Sequence, residues 1–240
     1  MKFFNWTSIR LALMFVLVIF LFSFTSIRNE HRKLSKSVVI FLNDTVSYID
    51  GETVNKLLIE NKRDASSIQK DKLDLNNLEK LINSNPMIEK SEVFISIDGV
   101  LKARVKQKTP IARVFDGFSS FYIDYQGGVM PLSDKITARV PIVSGKIDKN
   151  NSEVFNRLLR CIYKDDFLKK NIIGIEILSD GSLKMMNRNF DYVIEFGKIV
   201  NTERKFNNYK AFFQKAVTDS SLYKYKKINL RFTQQVVCTK

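Results

Sequence analysis

Residues able to do chemistry are few in this chain and lie far apart. There is one histidine, His31, and there are two cysteines, Cys161 and Cys238. A nucleophile needs a base within hydrogen-bond reach, and a metal needs several ligands at recurring spacing. Neither pattern is written here. There is no nucleophile elbow and no phosphate-cradling glycine loop. The adjacent carboxylates Asp165-Asp166 offer an acid and a base, but they follow an apolar-periodic helix and read better as solvated residues at its end. Two cysteines make no disulfide framework. Cys161, after Leu158 and Leu159 and before Ile162, reads as a small core residue of a helix, and a bridge to Cys238 is left open. The expectation is a non-enzymatic protein with no cofactor, metal or small-molecule substrate, so its chemistry is that of recognition.

The formal charge of +14, from 39 Lys and Arg against 25 Asp and Glu, invites a nucleic-acid reading. The basic residues are nevertheless spread over most elements. In Lys102-Ala103-Arg104-Val105-Lys106 they alternate with apolar ones, the pattern of a strand with one solvated face. No nucleic-acid partner is expected. Arg28, Arg32, Lys33 and Lys36 are different: they cluster beside an apolar run, where anionic lipid attracts them.

That run, Leu11–Ile27, has no charged residue between Arg10 and Arg28. As a helix it reaches ~25 Å, enough to span a hydrocarbon core with help from Ile9 or local thinning. A signal peptide has a shorter apolar region and a small-x-small cleavage site. Here the best triplet is Ser23-Phe24-Thr25, a poor one, so residues 11–27 read as a retained transmembrane anchor between a tail (1–10) and a connector (28–37). Charge alone does not settle orientation. Four basic residues follow the span against Lys2 and Arg10 before it, which favours an exterior amino terminus, although large following domains translocate despite such a bias.

The rest of the chain has the composition of a globular protein, with 19 Phe and 8 Tyr to build a core. Val38–Leu42 reads as a strand. Asp50 caps a helix to Ile59 with Val54, Leu57 and Leu58 inward, and 60–74 is a polar insertion. Asn76-Asn77-Leu78-Glu79 has capping-box spacing for a second helix with Leu78, Leu81 and Ile82 inward, stopped at Pro86. Val93, Ile95 and Ile97 alternate, Asp98-Gly99 turns the chain, and Leu101, Ala103 and Val105 alternate in turn. A two-residue turn would set the two apolar rows on opposite faces; a three-residue loop with left-handed Gly99 matches them. Residues 38–108 thus form a β-α-α-β-β module, and Pro110 marks a bend or boundary.

Residues 109–240 read as a strand-rich second domain with two helices, so the fold class is α+β. A hairpin turns at Gly127-Gly128. Ser152 caps a helix with Phe155, Leu158, Leu159 and Ile162 inward. Strands run over Ile172–Leu178, Ser182–Met186 and Tyr192–Phe196, and Thr202–Ala216 is a basic helix with Phe206, Tyr209, Phe212 and Phe213 inward. Ile228–Phe232 alternates cleanly, with Ile228, Leu230 and Phe232 toward the core, and Val236-Val237-Cys238 follows.

The order of these motifs resembles the bacterial division family FtsQ, called DivIB in some bacteria. Asn85-Pro86 through Val93 resembles that family's "NP-x-V-x-x-A-x-V" approach to its hairpin. Val105–Ala112 resembles the exit "V-x-E-R-x-P-[IV]-A", with Gln107 and Lys108 in place of the usual Glu-Arg. Tyr122–Leu132, Val140–Gly145, Lys205-Phe206 and Tyr225–Val237 resemble further motifs in order. The resemblance implies a POTRA-like domain at 38–108, an FtsQ-type β domain at 109–240, a cytoplasmic tail, and periplasmic domains held at the inner membrane of the division septum.

It also implies a scaffold of the divisome acting in septum formation, with FtsB- and FtsL-like proteins and other division proteins as partners. Carried over by motif position, the partner-binding residues are Arg231 and Phe232, then Gln234 and Gln235, with Tyr223 and Tyr225 as an aromatic anchor before the strand. A strand ending the sheet would offer backbone groups to a partner strand. The alternative is an envelope POTRA protein that binds secreted or unfolded chains.

Overall fold

The computed structural model describes residues 6–30, 33–42, 46–59, 68–70, 73–147 and 151–240. Most of the polar insertion 60–74 lies outside the described residues, as do His31 and Arg32. The chain forms two compact units, Met1–Gln107 and Lys108–Lys240.

The first unit opens with α1 (Trp6–Glu30), whose stretch Trp6–Arg28 is long and apolar enough to cross a membrane by length and composition. It begins before the expected Leu11, taking in Arg10, whose guanidinium lies 5.4 Å from the centre of the Trp6 ring. Then follow β1 (Lys36–Phe41), α2 (Gly51–Ile59), α3 (Leu75–Asn83), β2 (Ile88–Ile95) and β3 (Val100–Gln107). The sheet order is β1-β3-β2, with β1 parallel to β3 and β2 antiparallel to it. Val54 and Leu58 of α2, and Leu78 and Ile82 of α3, are buried in one core with Val93, Leu101, Ala103 and Val105. Leu57 is only partly buried and Leu81 is exposed.

Three local expectations change here. The cap of α3 is Asp74, whose carboxylate accepts from the Asn77 N–H, two residues earlier than the expected Asn76. Glu79, freed from a capping box, accepts instead from the Val93 N–H of β2. Ile97 does not join the inward row. Ser96 and Val100 close a three-residue loop in which Gly99 has φ 85°, which leaves Ile97 at the exposed tip and pairs Ile95 with Leu101. Gln107 is buried, and its Oε1 accepts from the N–H groups of Tyr48 and Ile49, fixing the chain that leads into α2.

The second unit contains β4 (Pro110–Phe115), β5 (Ser120–Asp124), β6 (Val129–Met130), β7 (Ile142–Ser144), α4 (Ser152–Lys164), α5 (Asp166–Asn171), β8 (Ile172–Ile177), β9 (Leu183–Asn187), β10 (Val193–Gly197), α6 (Thr202–Thr218), β11 (Lys227–Asn229) and β12 (Val237–Thr239). They make one nine-stranded sheet, ordered β12-β11-β10-β9-β8-β7-β4-β5-β6. Pro110 opens β4 rather than interrupting it, which costs the ladder nothing at that end. The β5–β6 turn is organised by buried Asp124. Its Oδ1 accepts from the N–H groups of Gln126 and Gly128, and its Oδ2 pairs with the Lys108 ammonium at 3.2 Å.

Helix α4 begins at Ser152, with Asn151 rather than Ser152 in the cap position. The expected two helices are joined by a third, the short α5, because Asp165 caps it by accepting from Leu168 N–H. The other oxygen of Asp165 accepts from Lys210 Nζ at 2.6 Å. Burial alone would raise this carboxyl, but Lys210 and the Leu168 N–H outweigh it and hold it below the usual carboxylate range. Phe155, Leu158, Leu159, Ile162, Phe206 and Tyr209 pack on Ile175, Met185, Ile194 and Phe196 to form the core.

Candidate functional site at the carboxyl-terminal sheet edge

The outermost strand at one end of the large sheet is β12, not the expected Ile228–Phe232. Strand β11 runs parallel to β10 and antiparallel to β12, so it is paired on both sides. It also ends early, at Asn229. The Leu230 N–H still donates to Glu195 O and Leu230 stays buried, but Asn229 Oδ1 then accepts from the Arg231 N–H and the chain turns away. The alternation breaks at that point. Phe232 is therefore 53% exposed instead of facing the core.

The connection from β11 to β12 carries four of the six expected residues. Arg231, Phe232, Gln234 and Gln235 are all exposed. The Asn208 side-chain amide of α6 donates to Thr233 O, which ties this connection to the helix layer. Arg231 reaches back to Glu195 at 3.6 Å, and Lys227 approaches the same carboxylate at 3.9 Å. Room for Arg231 comes from Gly197: it has φ 73°, and a Cβ there would stand 2.9 Å from Arg231 Cγ. Both the backbone conformation and the close approach require glycine.

Tyr223 and Tyr225 lie before β11, at its other end. Tyr223 is 80% exposed and its ring meets Phe190 at 5.0 Å, whereas half-buried Tyr225 packs on Phe212 of α6 at 5.7 Å. The two do not form one aromatic patch. They do flank the edge, because β12 runs back antiparallel from Val237 opposite Asn229 to Thr239 opposite Lys227. Lys226 N–H donates to Thr239 O, so the end of β12 is held beside the tyrosine segment. Among the described residues no strand pairs with the outer side of β12. Such an edge presents alternate N–H and C=O groups, with Val237 exposed beside them.

Behind the edge lies a polar feature that the sequence reading missed. Lys205 of α6 is 1% exposed; its Nζ donates to Phe196 O at 2.8 Å and Lys198 O at 2.9 Å, and it lies 4.6 Å from the Phe196 ring centre. Burial pushes this ammonium down from its ordinary pKa. The signal was present: Lys205, Tyr209, Phe212 and Ala216 share a helical stripe. Nearby, Tyr192 and Tyr209 share a hydrogen bond of 2.8 Å, and the Asn187 amide donates to Tyr209. Burial raises both phenols above their ordinary range, Tyr192 by the larger amount.

Cys161 and Cys238 are free thiols, both partly buried, and burial raises each. Among the described residues no group of three or more His, Cys, Asp and Glu is placed to hold a metal.

No curated protein matches the chain. The model of the family described as FtsQ/DivIB, C-terminal related, matches residues 109–239, which takes in all nine strands of the second unit and more than half of the chain; this protein therefore belongs to that family, with a role in cell division.

Proposed function

We propose that this protein is a non-enzymatic, single-pass scaffold of the division machinery, and that a segment of an FtsB- or FtsL-like partner adds to its carboxyl-terminal sheet edge. The supporting observation is that the family match ends at an outermost strand, β12, whose outer side pairs with no other strand among the described residues. Main-chain hydrogen bonds to β12 would supply affinity, and the exposed Phe232 and Val237 would supply apolar anchors. Lys224, Lys226, Lys227 and Arg231 lie along this edge, with Glu195 paired to Lys227 and Arg231 and Asp180 within electrostatic reach of Arg231; the excess of basic groups favours a partner segment carrying carboxylates.

In this reading α1 stays in the inner membrane as a tether with a cytoplasmic tail, and both units stand on the periplasmic side at the septum. The first unit is a POTRA-like module, a reading supported by its β-α-α-β-β order and its β1-β3-β2 sheet. The test is capture of the cognate FtsB-like protein by the full chain in detergent. Arg231→Glu and Phe232→Ala are expected to weaken capture while leaving the far-ultraviolet circular dichroism unchanged. Undiminished capture by both variants overturns the docking edge.

A further inference from the structure

The hairpin tip between β2 and β3 combines three properties that no internal packing explains. Ile97 is a large apolar side chain with full exposure, presented by a turn of fixed geometry. Basic residues border the turn that carries it. The Lys70 ammonium lies over Gly99, where a Cβ would stand 2.9 Å from Nζ, and Lys33, through its carbonyl, borders the same glycine. Lys36 is in register with Val100, the first residue after the turn. Lys102 completes the group: with a hydrogen bond from Ser96 it helps hold the exposed Asp98 carboxyl below its usual range. Four lysines thus stand against one carboxylate among the described residues of the tip.

The third property is position. Strand β1 is parallel to β3, so the start of β1, the start of β3 and the end of β2 all lie at one end of the small sheet. That end is where the chain arrives from α1. Ordered pairing begins almost at once after the helix: Lys33 bridges Gln69, Leu34 N–H donates to Ile68 O, and Ser35 N–H donates to Gly99 O at 2.9 Å. Ser35 is only five residues on from Glu30, the last of α1, a distance of at most ~17 Å. The headgroup layer itself occupies several of those ångströms, and the field of an anionic surface extends about another 8–10 Å.

We infer that the Ile97 tip docks on the membrane surface at which α1 ends, with Ile97 entering the headgroup layer and Lys33, Lys36, Lys70 and Lys102 facing anionic phospholipid. This rests on α1 crossing a membrane and is independent of partner capture at β12. Such a contact orients the small sheet against the bilayer, so that a single tethering helix also fixes a direction. The proposed occupant is the lipid surface itself, because the tip is basic, apolar only at its apex, and held within reach of the bilayer by the chain.

Trp6 is the only tryptophan, so the full chain with Trp6→Phe and Ile97→Trp carries one fluorophore, at the tip. It is reconstituted into nanodiscs of phosphatidylcholine, with or without phosphatidylglycerol, that contain lipids brominated near the headgroup. Strong quenching is expected in the anionic discs, with much less in the neutral ones and a decline as salt is raised. Each of Lys70→Gln and Lys102→Gln should lower the docked-to-undocked ratio roughly fivefold. Equal quenching in neutral and anionic discs, or none in either, overturns the contact. A chain that fails to float with lipid overturns the membrane anchor itself, which separates the two failures.

Discussion

Replacing the buried ammonium of Lys205 by an apolar side chain of similar length, Lys205→Met, is the sharpest perturbation of the second unit. The substitution removes hydrogen bonds of 2.8 and 2.9 Å to Phe196 O and Lys198 O, and the contact with the Phe196 ring. The two carbonyls are not equally exposed to this loss. Lys198 O still accepts from Val200 N–H, whereas Phe196 lies where the register of β10 with β9 shifts. Hydrogen bonds to charged groups are worth about 1.5–3 kcal/mol each, and part of that is returned because the variant no longer desolvates an ammonium. The net loss is about 2–3 kcal/mol, or about 10 °C in the melting temperature of a unit this size. Thermal denaturation of the full chain in detergent, followed by circular dichroism, measures it. A variant melting at or above the parent temperature would refute the reasoning, since ammonium burial would then cost more than its bonds contribute.

Three further outcomes follow from neighbouring geometry. Gly197→Ala places a Cβ against Arg231 at φ 73°, so it should cost about 1–2 kcal/mol in a denaturant melt and weaken partner capture with it. Phe232→Ala, at a half-exposed position, should change stability by no more than about 0.5 kcal/mol while reducing capture, a separation that a core residue would not give. Tyr192 keeps its proton when folded but releases it near pH ~10 when unfolded, and burial shifts Tyr209 in the same direction. The unfolded chain then binds fewer protons, so this contribution is complete below that pH and is lost above it; urea melts from pH ~8 to ~11 should show a shallower decline for Tyr192→Phe.

Much of the fold is legible in the sequence because its signals are local. The alternation of Val93, Ile95, Leu101, Ala103 and Val105 around Gly99 fixes the hairpin register, and the apolar stripe of α4 at Phe155, Leu158, Leu159 and Ile162 fixes the inward face of that helix. Misplaced features depend on competition between neighbours. Asp74 and Asn76 are both good caps, and the choice of Asp74 releases Glu79 to serve β2. Phe232 continues a period-two pattern in sequence, but Asn229 turns the backbone after Leu230 and sends it outward. Whether a terminal strand is an edge is a property of the whole sheet, so the pattern of Ile228–Leu230 alone did not reveal that β12 would cover it. The burial of Lys205 went unseen because its charge outweighed its place on the helical stripe.

The docking of a partner strand on β12 is tested most directly by amide hydrogen exchange on the full chain, with and without the cognate FtsB-like protein. The account predicts new protection concentrated at Val236–Thr239 and in the Arg231–Gln235 connection, with the buried strands β8 and β9 unchanged. Protection confined to other segments, with the amides of β12 exchanging as in the free chain, would contradict it.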